Sequence, residues 1–358
     1  ELGSADKIKI GVESIALGYP LSQDNLKITK GIISGKEDGE IQTDTAINPG
    51  NSGGPLIVNN KVIGVNASGF DKSQNVAYAV PIDYFKLIKS DMFKKKYLQR
   101  PRLGINYNYS NDDMISDCKC KTGVYINYVN KKSPIYKIGL REGHILCSIN
   151  GTKIDNYGMT NETWLNDKKT LEEIIFLLKI NQKVTIEYWN NKNIIKKTFK
   201  FSYFENGIKY LYPLYEKNDY IIIGGLILMN LTDNLLEQNV NRKYKTQESK
   251  ALNIYEEIHN REEPVIIVTN ILPNSILDNE DIINQFDIIE KINGKNIKTI
   301  TDIRKILKKP IIKNKNKFLE IITKEKSRTL INYEKIKENN KKLSETFNFK
   351  IDDIFNQI

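Results

Sequence analysis

The residues best equipped for chemistry are Gly50-Asn51-Ser52-Gly53-Gly54-Pro55, which open directly onto the apolar run Leu56-Ile57-Val58. A serine becomes a nucleophile when its hydroxyl is exposed on a rigid turn and backbone N–H groups stand ready for the oxyanion that forms. Flanking glycines permit the close backbone approach and unusual dihedrals of such a turn. Ser52 is therefore the candidate nucleophile, and the peptide groups of Gly50, Asn51 and Ser52 are the candidate oxyanion donors. Taken alone, the composition also fits a plain loop between two strands. The other reactive side chains are few: His144, His259, Cys118, Cys120 and Cys147. The cysteine count is odd and lacks a framework spacing, and Cys118 and Cys120 stand too close for an ordinary bridge. That pattern favours unpaired thiols and a thiol-reducing compartment. With two histidines in the chain, no Cys/His zinc set is expected, and no cofactor.

The elements that must hold Ser52 are short. Residues 1–82 contain six β-rich segments, at 12–17, 28–34, 40–44, 55–58, 62–67 and 76–82, a spacing that predicts a small barrel or sandwich. Over 82–97 the pattern turns helical, with Ile82, Phe85, Ile88 and Phe93 near one face, ahead of a linker Leu98-Gln99-Arg100-Pro101. Beyond it lies an internal repeat. The run from Gly143 to Ile154 aligns with that from Phe286 to Ile297 at a constant offset of 143 residues. Both read as strand, Asn-Gly turn, strand, and Asn-Gly is the dipeptide suited to a tight hairpin. Each copy has an upstream strand (123–129 and 265–271), then a turn at Ser133 or Ser275. Each continues with a helix, marked by Leu171, Ile174, Ile175 and Leu178 or by Ile303, Ile306 and Leu307, and a closing strand (183–189 and 318–323). The second copy opens on an apolar run from Tyr220 to Leu231, read as one buried strand with a bulge or close approach at Gly224-Gly225. A charged insertion, about 232–263, carries a helix, and in the tail Phe347, Phe349, Ile351, Ile354 and Phe355 dock a short helix on the body.

A chain of 358 residues that is 40% apolar makes two or three domains with real cores. The net charge of +10 invites a nucleic-acid partner, but the basic residues are spread out. The densest runs, Lys94-Lys95-Lys96 and 313–317, read as a helix end and a loop, and no basic-plus-aromatic signature appears. No specific nucleic-acid binding is expected. No run reaches the length of a membrane span, and the N-terminus lacks a signal-peptide shape.

The run from Gln42 to Pro55 closely resembles the nucleophile segment of Deg/HtrA serine proteases. Val62-Ile63-Gly64-Val65-Asn66 and Val76-Ala77-Tyr78-Ala79-Val80-Pro81-Ile82 follow in the family's order, and Ala16-Leu17-Gly18-Tyr19-Pro20 resembles a family strand end. The resemblance implies a mainly β chain with some α: the second barrel of a chymotrypsin-like (trypsin-like) domain over 1–98, a PDZ domain over 102–202, a divergent PDZ-like domain over 212–334 and a tail over 335–358. Ser133-Pro134 through Gly143 matches the PDZ pattern. Leu103, Gly104 and Ile105 stand where such domains hold a peptide carboxylate, which implies a peptide-binding groove there. Family geometry puts Ala46 near the base of the specificity pocket, where the lack of an acid implies a small or medium apolar side chain before the cut. Asp44 matches a structural position and not the triad acid, and His144 replaces the family's acid with a surface histidine. Pro213-Leu214-Tyr215, the glycine pair and the insertion resemble the plant-type Deg branch, implying a second copy used for packing or assembly more than peptide capture.

By resemblance the chain is an ATP-independent serine endopeptidase of protein quality control, acting on misfolded proteins and peptides as a trimer-based homo-oligomer. In that family the histidine base and its carboxylate lie well upstream of the serine. None of the 51 residues before Ser52 is a histidine, so the chain reads as a protease missing its first barrel. Loss of triad members costs orders of magnitude in rate, so these 358 residues alone are expected to cut little. The alternative is a non-catalytic peptide-binding scaffold with a degenerate barrel.

Overall fold

A computed structural model describes residues 1–19, 24–69, 75–98, 102–240 and 248–357. The expected linker residues Gln99, Arg100 and Pro101, and Pro20 of the strand-end motif, lie outside them. The chain forms two compact units, Glu1–Phe204 and Glu205–Ile358.

The first unit begins with six strands, β1 (Glu13–Gly18), β2 (Lys27–Glu37), β3 (Glu40–Thr43), β4 (Pro55–Val58), β5 (Lys61–Gly69) and β6 (Ala77–Pro81). They close into an antiparallel barrel in the order β1-β2-β3-β6-β5-β4. Alternation drives the closure, since one face of each strand must be buried: Ala16, Ile33, Ile41, Leu56, Ile63 and Ala79 all point into the core. Three hydroxyls share that interior, with Ser14 Oγ 2.7 Å from Thr45 Oγ1 and 3.1 Å from Thr43 Oγ1. They satisfy one another where an unpaired polar group is costly, and so fix the backbone at Thr45 just ahead of the serine turn. Helix α1 (Ile82–Met92) follows. Its Asp83 accepts from Ser4 Oγ at 3.0 Å and Ala5 N at 2.6 Å, holding the N-terminal segment to the barrel. Phe93, expected on the buried face, is 79% exposed because the helix stops at Met92 and Phe93 forms its C-cap.

The first repeat copy contributes β7 (Ile105–Asn108), α2 (Asp112–Ile115), β8 (Val124–Val129), α3 (Pro134–Lys137), β9 (Ile145–Ile149), β10 (Thr152–Lys153), β11 (Met159–Trp164), β12 (Asp167–Thr170), α4 (Leu171–Phe176), β13 (Lys183–Trp189) and β14 (Ile194–Lys200). Its sheet runs β14-β13-β9-β8-β7, leaving β7 at an edge, with β11 and β12 as a separate hairpin. Thr170 and Glu173 form a reciprocal capping box that starts α4.

The second unit holds β15 (Tyr220–Ile223), β16 (Leu226–Asn230), α5 (Asp233–Val240), β17 (Ile266–Ile271), α6 (Ile276–Glu280), β18 (Ile288–Ile292), β19 (Lys295–Asn296), α7 (Ile300–Leu307), β20 (Ile311–Lys313), β21 (Asn316–Thr323), β22 (Arg328–Asn332) and α8 (Tyr333–Phe347). The two Asn-Gly turns are alike in geometry, Asn150 and Gly151 at φ 51° and 84°, Asn293 and Gly294 at φ 49° and 71°. Ser133 caps α3 and Ser275 caps α6 in the same way.

Three further expectations are corrected. The run from Tyr220 to Leu231 is two strands, since Gly224 and Gly225 take φ 56° and 102° and turn the chain into a β15–β16 hairpin. The tail holds the 15-residue α8 as well as a short helical turn at Asp353–Asn356, and while Ile354 and Phe355 of that turn are buried, Phe347 at the end of α8 is 42% exposed. Cys120 is bonded to Cys147, a pairing across 27 residues that appears only once the sheet brings the turn after α2 against β9.

Candidate active site and peptide groove

The serine turn is pinned from three directions. Asn51 N donates to Asn48 O and Gly54 N to Asn51 O, both at 2.9 Å, which folds residues 48–54 on themselves. Gly53 N donates to Asn66 O at 2.8 Å and Asn66 N to Gly54 O at 2.9 Å, which ties the turn to β5. Tyr19 N donates to Gly50 O at 3.1 Å from the end of β1. Gly50 and Gly53 have φ 105° and 82°, a region open to glycine. A Cβ on Gly54 would collide with the Leu17 carbonyl, and one on Gly18 with the Asn51 side chain. The glycines therefore let the turn sit directly on β1.

Within this turn Ser52 is exposed, and its Oγ donates to the Ala67 carbonyl on β5 at 3.0 Å. Gly50 and Ser52 N–H make no hydrogen bond among the described residues. Asn51 is the correction among the oxyanion candidates. Its N–H is already given to Asn48, and its side chain is buried, with Nδ2 reaching the Ala46 carbonyl at 3.4 Å. Ala46 is exposed, and its carbonyl also accepts from Thr29 Oγ1 at 2.8 Å. Asp44 Oδ1 accepts from Ile32 N at 2.6 Å, a latch between the segment and β2 that uses the carboxylate structurally. Residues 1–98 contain no histidine.

The candidate groove lies at the edge of β7. Leu103 is buried and Gly104 has φ 77°. A Cβ at Gly104 would stand 2.6 Å from the Phe204 ring and 2.8 Å from Ser133 Cβ, so glycine alone fits. Gly104 O accepts from Asn130 N at 2.8 Å, while Leu103 and Gly104 N–H make no hydrogen bond among the described residues. Tyr107 on β7 donates its hydroxyl to Glu172 on α4, bridging strand and helix, and burial together with that carboxylate raises its pKa. Sequence reasoning missed Phe204 and this bridge, because neither carries a local signal.

The second copy repeats the geometry at Gly225, whose carbonyl accepts from Leu272 N at 2.9 Å and whose Cβ would collide with Ser275. There the outer edge is taken: β15 pairs with β16 from Tyr220↔Met229 to Ile223↔Leu226. Asn340 of α8 locks the hairpin, accepting from Gly224 N and donating to Ile222 O, each at 3.0 Å. His144 is half-buried, with Nδ1 accepting from Arg141 N at 3.1 Å and its ring stacked on Tyr188.

Residues 1–65 match the model of the trypsin-like peptidase domain, and 91–172 and 212–352 each match a PDZ domain model. A trypsin-like segment followed by PDZ domains, with relatives named HtrA or DegP serine proteases, supports a Deg/HtrA family protease. It is 32% identical over 179 residues to the serine protease Do-like HtrA of Bacillus subtilis, covering 43% of this chain and 40% of that protein. It is 27% identical over 212 residues to the serine protease Do-like HtrA of Lactobacillus helveticus, covering 52% and 48%. An Arabidopsis thaliana protein named Do-like 3 is 26% identical over 312 residues, 81% of this chain and 53% of its own. The chain thus spans about half the length of the curated relatives it matches. Among solved structures, the HtrA-type protease AlgW with decapeptide aligns with a TM-score of 0.43 at 24% identity, over 57% of this chain and 64% of that one. No helix among the described residues is long and apolar enough to cross a membrane.

Proposed function

We propose that this chain is the nucleophile-bearing part of an ATP-independent Deg/HtrA endopeptidase of protein quality control, with Ser52 as nucleophile. The N–H groups of Gly50 and Ser52 stabilise the oxyanion, and Ala46 floors a pocket for small or medium apolar side chains. One observation carries the reading: an exposed Ser52 on a turn pinned by backbone hydrogen bonds, beside two N–H groups without partners among the described residues. The general base comes from outside residues 1–98, since no histidine stands there. Without it Ser52 keeps its proton, and these 358 residues alone cut slowly or not at all. Leu103, Gly104 and Ile105 hold the C-terminal tails of misfolded proteins and peptides, with the tail added as a strand beside β7. Assembly is a homo-oligomer built on trimers.

A second reading is favoured by the Ser52 hydroxyl, which is given to a backbone carbonyl and not to a base. On it the barrel is inert and the chain a peptide-docking scaffold. A fluorophosphonate probe on the full-length protein separates the two. Labelling of Ser52 that disappears in Ser52→Ala supports the protease; absence of labelling with retained peptide binding supports the scaffold.

A further inference from the structure

We propose that Cys118, Cys120 and Cys147 form a thiol–disulfide exchange site, in which the Cys118 thiol replaces Cys120 as the partner of Cys147 and leaves Cys120 as a half-buried, more accessible thiol. The three sulfurs lie within 4.8 Å of one another. Cys147 sits on β9, an interior strand paired on both sides with β8 and β13, and stays put. Its two alternative partners ride on one turn after α2, fastened by Cys118 N to Ile115 O and Lys121 N to Cys118 O, each at 2.9 Å. Cys118 is a free buried thiol at 4% exposure, whereas Cys120 is half-buried. Exchange therefore moves the unpaired thiol from a buried position to a half-buried one. Trp189, 9% exposed, packs in the same cluster, and its indole N–H has no acceptor among the described residues. A buried donor with nothing to bond is costly, so this cluster holds an unused hydrogen-bond donor.

The step conserves electrons. Cys118, having lost its proton to water, attacks Cys147 Sγ as a thiolate. The new Cys118–Cys147 bond forms as the Cys147–Cys120 bond breaks, and Cys120 departs with the electron pair and takes up a proton. One disulfide and one thiol stand on each side, so no oxidant or reductant is consumed. Attack on Cys120 instead would close a bridge between residues two apart, a span disulfide geometry disfavours. The turn that would shift connects β7, the strand at the edge of the peptide groove, to β8.

Mapping the free thiol tests this directly. The oxidised full chain, equilibrated at about pH 8 so that thiolate is present, is trapped with N-ethylmaleimide and digested with trypsin, which cuts after Lys119 and Lys121 and separates Cys118 from Cys120. The label should divide between Cys118 and Cys120, with both bridges to Cys147 recovered. In Cys118→Ser the Cys120 label should be lost, and in Cys120→Ser a Cys118–Cys147 bridge should form. Label confined to Cys118 in the unsubstituted chain overturns the proposal, whatever the variants do. So does recovery of three labelled thiols and no bridge.

Discussion

His144 shows how one side chain in the first repeat copy answers to its surroundings. Burial and the neighbouring Arg141 guanidinium both push its pKa below the ordinary histidine value. The neutral ring also suits the contact, since Nδ1 must keep a lone pair to accept from Arg141 N. The unfolded chain therefore takes up a proton at higher pH than the folded one. Stability contributed by the neutral ring is complete above the unfolded value of about 6.5 and is lost as pH falls through the lower folded value. Thermal unfolding midpoints measured from about pH 7.5 down to about pH 5 should fall more steeply in the unsubstituted chain than in His144→Gln, which keeps an acceptor but does not titrate. Parallel profiles would remove the histidine from the account. At this scale the sequence marked Ser52 and the glycines around it by residue type and spacing, and Gly104 only through its resemblance to a PDZ loop. Asn51 was misread as a donor because the hydrogen bond from its N–H to Asn48 exists only once the turn has closed.

At the scale of elements, the two repeat copies part over the edge of one strand. A β-edge presents N–H and C=O groups that either receive a peptide or must be covered. In the first copy the outer edge of β7 has no strand on it among the described residues, and in the second β15 already lies on β16. Gly104→Ala places a Cβ against Phe204 and Ser133 at a positive φ, costing about 2 kcal/mol or more from the left-handed backbone and the collision together. Peptide binding measured by fluorescence anisotropy should then vanish, because in the second copy β15 already occupies the equivalent edge of β16. Residual binding of undiminished affinity would mean that β15 leaves its place. The Asn-Gly turns and the turns at Ser133 and Ser275 were readable because each depends on a few adjacent residues, although the capping role of the two serines was not. The β15–β16 hairpin was not, since an all-apolar run with a central glycine pair fits a bulged strand and a tight turn alike.

Across the first unit, barrel and repeat copy are joined by a hairpin that no local pattern announces. Between β11 and β12, Leu165 and Asn166 turn at φ 50° and 62°, and Trp164 and Leu165 enter the barrel's own core. The Trp164 indole donates to the Ala5 carbonyl at 2.9 Å, a contact 159 residues apart in sequence. Beside it Lys36 of β2 and Glu173 of α4 form an ion pair at 3.1 Å with side chains only 3% and 8% exposed. Lys36 Nζ also donates to Lys168 O at 2.8 Å, and Glu173 still caps α4 through Thr170 N. Trp164→Ala should cost about 3–5 kcal/mol, the ordinary penalty for emptying a buried tryptophan site. Lys36→Met should cost about 3–5 kcal/mol by stranding a buried carboxylate, whereas replacing both charges by neutral groups is far milder. The double variant Lys36→Met with Glu173→Gln retains the capping hydrogen bonds and should recover much of that loss in chemical denaturation. Equal midpoints for the single and double variants would show that the charges do not fasten α4 to the barrel. The join would then rest on the Trp164 hairpin, and Trp164→Ala should uncouple the unfolding of the two parts.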